Sequence, residues 1–212
     1  MSSWSTARWT LYAPIYDAVG GLTASARRRS LQLLAPREGE RLLVVGCGTG
    51  LDFAFLPPGV TVDAIDASPA MAQRAARRVS RLVPPARVQV MDATQLAFPD
   101  SAFDAVVLHL ILAVLPGEAV GDCLREVARV LRPGGRVAVL DKFVPGEDCR
   151  PGPLRRLLDV AMRAVATSIT TCLEPLVEGS RFAIEHQEPS LLGGQFRIAT
   201  LRKPGLPAAA DG

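Results

Sequence analysis

The sequence predicts an α/β fold: a doubly wound sheet of seven strands, mixed because its last two strands form an antiparallel pair, with helices on both faces. Three observations carry this. Leu42-Leu43-Val44-Val45-Gly46-Cys47-Gly48-Thr49-Gly50 is an apolar run that ends in three glycines at alternate positions. That is the pattern of a buried strand entering a tight turn whose backbone approaches a ligand. Sixteen residues past the last glycine, a second apolar run, Val60-Thr61-Val62-Asp63-Ala64-Ile65, ends in Asp66. From residue 41 to residue 141, strand-like and helix-like segments alternate, which calls for parallel strands joined by helical crossovers.

The elements follow in order. Residues 1–35 read as helical, punctuated by Pro14 and Gly20-Gly21. Pro36-Arg37-Glu38-Gly39-Glu40 turns the chain into a first strand over 41–46. The glycine turn opens a weak helix that Pro57-Pro58-Gly59 stops early. A second strand spans 60–66. Ser68-Pro69 then starts a helix that runs to about Leu82, with proline in the first turn where its missing N–H costs nothing. A third strand covers Arg87 to Met91 and stops at Asp92, and a fourth runs from Phe103 to about His109. A helix over roughly Ala119 to Leu131 ends at Arg132-Pro133-Gly134-Gly135, and a fifth strand spans Arg136 to Asp141. Beyond Pro145 the pattern changes. Proline- and glycine-rich loops lead to an amphipathic helix over Leu154 to Leu176. Its apolar positions are Leu154, Leu157, Leu158, Ala161, Met162, Val165 and Ile169. Two strand-like runs follow, Arg181–Gln187 and Gln195–Arg202, and the tail from Pro204 reads as disordered.

Composition narrows the function classes. The chain has 212 residues, 49% of them hydrophobic, which suffices for one domain with a full core. The organisation expected is a single domain over 1–204. It comprises an N-terminal helical lid (1–35), a ligand-binding core (40–141) and an acceptor-side helix with edge strands (142–204). A net charge of +3 is too mild to predict a nucleic-acid partner. The arginines in Arg27-Arg28-Arg29, Arg74, Arg77-Arg78 and Arg81 read as solvated helix faces. Cys47, Cys123, Cys149 and Cys172 lack metal-ligand spacing and read as reduced thiols of a cytoplasmic protein. No metal is expected. The N-terminus lacks the apolar core of a signal peptide. No apolar run reaches the roughly 20 residues of a membrane-spanning helix.

Ligands of open α/β sheets sit beyond the carboxyl ends of the strands. The polar residues that fall there are Asp66, whose carboxylate can accept two hydrogen bonds from ribose hydroxyls, and Asp92, within reach of an adenine edge. Asp104 enters the fourth strand at its other end and reads as structural.

The chain resembles the class I S-adenosylmethionine-dependent methyltransferases, whose fold is a Rossmann-like sheet. The resemblance rests on five segments in family order, covering roughly 40–141. They are Val44-Val45-Gly46-Cys47-Gly48-Thr49-Gly50, Ile65-Asp66-Ala67-Ser68-Pro69-Ala70-Met71, Asp92 to Asp100, Phe103-Asp104-Ala105-Val106-Val107, and Val130-Leu131-Arg132-Pro133-Gly134-Gly135-Arg136. It implies S-adenosylmethionine as cofactor. Gly46, Cys47, Gly48, Thr49 and Gly50 would meet its methionine end and Asp66 its ribose. Ala67, Met71, Asp92 and Ala93 would surround its adenine. One position departs from the family: an acid usually stands two residues before the first glycine, and this chain has Val44.

The N-terminal segment holds four of the chain's eleven aromatic residues, Trp4, Trp9, Tyr12 and Tyr16. Tyr12-Ala13-Pro14-Ile15-Tyr16-Asp17 resembles the segment of bacterial phospholipid N-methyltransferases and quinone-ring methyltransferases that packs over the cofactor. Tyr16 is therefore a candidate for both cofactor and acceptor contact, and the aromatics could cradle a cationic amine. His109 and Asp141, at the ends of the fourth and fifth strands, are the candidate bases. The resemblance implies a small-molecule or lipid acceptor, with a phosphatidylethanolamine-type amine first and a quinone or natural-product ring second. A cofactor-binding regulatory protein is the alternative from another class. Arg155, Arg156 and Arg163 would suit peripheral contact with a membrane surface.

Overall fold

The structure, a computed structural model, describes residues 20–79, 86–144, 150–152, 156–160 and 167–205. Tyr16 and the other N-terminal aromatics, most of the expected lid, and the tail over 206–212 lie outside the described residues.

After a 3-10 turn at Gly21–Thr23, helix α1 spans Ala24–Leu34, and strand β1 follows at Arg41–Val45. The glycine turn opens not an α-helix but a 3-10 segment, Leu51–Phe55. Strand β2 is Thr61–Asp66, helix α2 Pro69–Val79, strand β3 Ala86–Val90, strand β4 Phe103–His109 and helix α3 Gly117–Val130. Strand β5 spans Leu131–Lys142, helix α4 Leu173–Glu178, strand β6 Ala183–Pro189 and strand β7 Phe196–Arg202. The seven strands form one sheet in the order β3-β2-β1-β4-β5-β7-β6. Neighbours from β3 through β5 pair parallel, and β7 pairs antiparallel with both β5 and β6. This is the mixed, doubly wound sheet expected. The order reverses between β1 and β4, which opens a crevice at their carboxyl ends.

The central strands β1 and β4 are buried on both faces and read as nearly continuous apolar runs. Alternation still sorts their side chains. Leu42, Val44, Val62, Ala64, Ala105 and Val107 pack with α1 and α2 on one face, through Leu31, Leu34, Ala75 and Val79. Leu43, Val45, Val106, Leu108, Val137 and Val139 pack with α3 and α4 on the other, through Leu124, Val127, Leu173 and Val177. Burying each such side chain is worth about 1.5–3 kcal/mol, which makes these faces the main source of stability. Asp104 is structural as expected: it accepts the Arg41 N–H at 2.8 Å and pairs with Arg132.

Four expectations are corrected. The long helix over 154–176 is broken: residues 156–160 are helical, 167–172 are not, and α4 starts at Leu173. The run Thr167-Ser168-Ile169-Thr170-Thr171 explains the break. β-branched side chains crowd a helix, and hydroxyls compete for its backbone. Asp159 completes it by accepting the Ile169 N–H at 2.6 Å and the Ser168 hydroxyl at 2.9 Å. Leu157 and Leu158, two of the apolar positions of that helix, are exposed, and Asp159 is the buried residue between them and Val160. Arg27, read as solvated, is 3% exposed because Asp52 and Thr23 supply partners inside the core. Strand β5 starts at Leu131, with residues 132–135 bulged out between its Phe103 and Arg136 registers. Finally, Cys172 is disulfide-bonded, whereas Cys47 and Cys123 are free and buried. A disulfide needs only proximity in the fold, which spacing along the chain does not report.

Candidate functional site

A cleft opens at the carboxyl ends of β1, β2 and β4. The glycine turn forms its floor. Gly46, Gly48 and Gly50 all have positive φ, at 65°, 56° and 80°. At Gly46 a side chain is also excluded by space, since a Cβ there would lie 2.6 Å from Ile111 Cδ1. At Gly50 it would lie 2.6 Å from the Phe53 ring. The turn is closed by the Gly50 N–H donating to the Cys47 carbonyl at 2.9 Å and tied to β2 by the Cys47 N–H donating to the Ile65 carbonyl at 2.8 Å.

Asp66 holds the side of the cleft. The Gly48 N–H donates to its Oδ2 and the Ser68 N–H to its Oδ1, each at 2.8 Å. Burial pushes its carboxyl above the usual range, and the two amides offset only part of that. Each oxygen keeps lone-pair capacity for a further donor. Ser68 caps α2, its hydroxyl accepting the Met71 N–H, with Pro69 as the first helical residue. That capping turn brings Ala67, Ser68 and Met71 onto the cleft wall. Met91 and Ala93 complete this side. Asp92 lies between them, and its Oδ1 accepts the Thr94 N–H at 2.9 Å and the Thr94 hydroxyl at 2.8 Å. Burial raises the Asp92 carboxyl, but the groups that donate to it, the Thr94 N–H and hydroxyl among them, outweigh burial and hold it below the usual range.

Six expected residues therefore line one cleft: Gly46, Gly48, Asp66, Ala67, Met71 and Ala93. Cys47, Thr49 and Gly50 lie behind it, buried in the turn. The far wall was not anticipated. It is the segment after β4, contributing Leu110, Ile111, Val114 and Leu115. Its only signal in the sequence was an apolar run that continues past His109.

His109 and Asp141, the candidate bases, are both buried and hydrogen-bonded within the fold. The His109 side chain is buried, with Nδ1 2.7 Å from Asp52 Oδ1 and Nε2 2.9 Å from the Ser30 hydroxyl. Both ring nitrogens are committed. Asp52 also accepts from Arg27 at 2.8 Å, and Arg27 Nε donates to the Thr23 hydroxyl at 3.0 Å. Burial raises the Asp52 carboxyl, but His109 and Arg27 outweigh it and hold it well below the usual range. This network ties α1 to the segment after the glycine turn and to the end of β4. Asp141 is 1% exposed. It accepts the Ala113 N–H at 3.0 Å and the Lys142 N–H at 2.8 Å, and burial raises its carboxyl. It fixes the far wall of the cleft. Val44, where the family pattern has an acid, packs in the core with Leu31 and Leu34.

Comparison with known proteins bears on this geometry. Residues 43–139 match the methyltransferase domain family. The phosphatidylethanolamine N-methyltransferase of Cereibacter sphaeroides is 34% identical over 202 residues, covering 92% of this chain and 94% of that protein. The demethylmenaquinone methyltransferase of Clavibacter sepedonicus is 36% identical over 169 residues, covering 78% of this chain and 63% of that protein. Among solved structures, the cyclase SpnF superposes with a TM-score of 0.71 at 23% identity, covering 86% of this chain and 82% of that one. At that identity the likeness concerns the fold alone.

Proposed function

We propose that this chain, which belongs to the class I S-adenosylmethionine-dependent methyltransferases, methylates the amine of a phosphatidylethanolamine-type lipid. The observation that carries the reading is the 34% identity to a phosphatidylethanolamine N-methyltransferase over nearly the full length of both chains. In this reading Asp66 accepts the ribose hydroxyls, and Gly46 and Gly48 pass close to the methionine end. Ala67, Met71 and Ala93 enclose the adenine, with Asp92 beside them. Tyr16 and the N-terminal aromatics close over the acceptor as a lid.

The sulfonium donor is already activated. Bound in the cleft, it would supply its methyl group in line to the lone pair of the unprotonated amine, with S-adenosylhomocysteine leaving and the amine's protons released to solvent. The protein's task is to align the two and exclude competing water. The cleft chemistry supports an amine. A ring carbon needs a fixed base to ionise the neighbouring hydroxyl. Among the described residues the cleft offers one carboxylate, Asp66, and His109 and Asp141 are spoken for. The quinone reading nonetheless keeps the support of the 36% identity to a demethylmenaquinone methyltransferase.

No helix among the described residues is long and apolar enough to cross a membrane. A peripheral contact fits better. Leu22, Val90, Leu157, Leu158, Val160 and Leu192 are exposed. Exposed apolar side chains of this kind are what a lipid surface would meet.

Calorimetric titration with S-adenosylmethionine tests the cofactor, and absence of binding would sink the reading. Transfer from labelled cofactor to phosphatidylethanolamine vesicles and to demethylmenaquinone then separates the acceptors. Binding without transfer to either would favour a regulatory protein.

A further inference from the structure

A second depression lies beside the cofactor cleft, a groove of about 510 Å³ between the segment 112–120 and the segment 167–176. We infer that this groove holds the hydrocarbon chain of the acceptor, so that chain length and not only the head group selects the substrate. The inference rests on the methyl-transfer reading above.

Continuity is the first reason. Val114 and Leu115 line both the cofactor cleft and the groove. A head group at the cofactor therefore has an adjoining path for its tail. The second reason is the lining. Leu112, Val120, Pro175 and Leu176 join Val114 and Leu115. Two polar side chains on the opposite wall are already satisfied: the Thr167 hydroxyl accepts from Lys142 at 2.7 Å, and the Ser168 hydroxyl donates to Asp159 at 2.9 Å. Beside the Thr171 hydroxyl, what the groove offers is mainly apolar contact. The third reason is rigidity. The Ser168 N–H donates to the Ala113 carbonyl at 2.6 Å, joining the two walls at their base. Asp141 holds the Ala113 N–H from the other side, and Asp159 holds Ile169. A preformed apolar track binds a chain without an ordering cost of its own.

A bounded groove has a signature that a bilayer or micelle lacks. Affinity rises about threefold to fourfold per methylene while the chain fills it, then stops rising. The test loads the protein with S-adenosylhomocysteine and titrates it with glycerophosphoethanolamine and with lysophosphatidylethanolamines of increasing chain length below their micelle concentrations. A demethylmenaquinone series of increasing prenyl length distinguishes the two sources of chain. The expected result is a steep rise and a plateau in one series. Leu176→Glu and, independently, Thr171→Trp should reduce chain-bearing compounds to the affinity of the head group alone. Both should leave S-adenosylhomocysteine affinity unchanged. A rise without plateau, affinity independent of chain length, or variants that weaken head group and chain-bearing compounds alike would overturn the groove while leaving methyl transfer intact. Failure to bind S-adenosylhomocysteine would instead strike the reading beneath it.

Discussion

Two buried carboxylates flank the glycine turn and are held in opposite ways. Asp66, on the cleft, has only neutral partners, the amides of Gly48 and Ser68. Asp52, behind the turn, has Arg27 on one oxygen and His109 on the other. Burial raises both carboxyls. It prevails at Asp66 and is overruled at Asp52. The difference separates a group prepared for a ligand from a group prepared for the fold. Asp66 is incompletely compensated and gains from any further donor. Asp52 is compensated in full and has nothing left to offer one.

Breaking the rear pair should have the largest effect. Asp52→Ala would leave Arg27 buried without its counter-ion and a His109 ring nitrogen without its partner, a change worth about 3–5 kcal/mol. Urea unfolding at neutral pH measures it, and a loss below about 1 kcal/mol would show that the network contributes little. The pH dependence has a definite sign. A carboxyl depressed by folding contributes stability above its unfolded pKa of about 3.9 and loses it as the pH falls through the folded value. Wild-type stability should therefore begin to fall below about pH 4, and the Asp52→Ala variant should lose less there, with Asp92 and Glu188, also held below their usual range, supplying the remainder. Asp66 and Asp141 are shifted the other way. Their contributions are present in acid and lost as the pH rises through their raised values, so they partly mask that fall in mild acid.

The cleft side of the comparison is sharpened by cofactor binding. Asp66→Ala should weaken S-adenosylmethionine binding by about 1–3 kcal/mol if the ribose hydrogen bonds form, with little change in unfolding midpoint. Calorimetry decides it, and an unchanged affinity would contradict the assignment. Because the free carboxyl titrates above its ordinary range, wild-type affinity should fall at a higher pH than for an exposed aspartate. Protonation removes the acceptor, so the loss runs in the acid direction.

The contrast between these two acids also marks where the sequence was informative. Asp66 was legible because local features surround it: an apolar strand before it, a helix cap after it, and glycines at a fixed distance. Strands β1, β2 and β4 were legible because burial on both faces leaves nearly continuous apolar runs. Asp52 was missed although it stands alone among Leu51, Phe53, Ala54 and Phe55. A charge inside an apolar stretch asks for a partner, and its partners lie 25 and 57 residues away. The partners of His109 and Asp141 were hidden for the same reason. The two residues stand at strand ends, where ligands bind, but Ser30 and Ala113, which occupy them, arrive from other parts of the chain. The non-helical stretch over 167–172 was hidden because Ile169 continues the apolar spacing through the hydroxyl run.

The smallest effect tests the comparison within a single run of arginines. Arg27 and Arg29 are two residues apart on α1, and both bind a carboxylate. Arg27 is buried against Asp52, whereas Arg29 reaches across the surface to Glu188 on β6, with contacts of 2.9 and 3.0 Å. The Arg29 guanidinium beside it, with a smaller contribution from His186, holds the Glu188 carboxyl at about 2. That shift is large for a group in water, yet an exposed pair gains little because solvent screens it and long side chains lose freedom. Arg29→Ala should move the Glu188 pKa back towards its ordinary value of about 4.3 in an NMR titration. It should leave the urea midpoint where it was. Arg27→Ala, with the same charge removed two residues earlier, should unfold the protein readily, because Asp52 is then left with His109 alone. If the two variants proved equally stable, burial would not be what distinguishes the Arg27–Asp52 pair in the core from the Arg29–Glu188 pair on the surface.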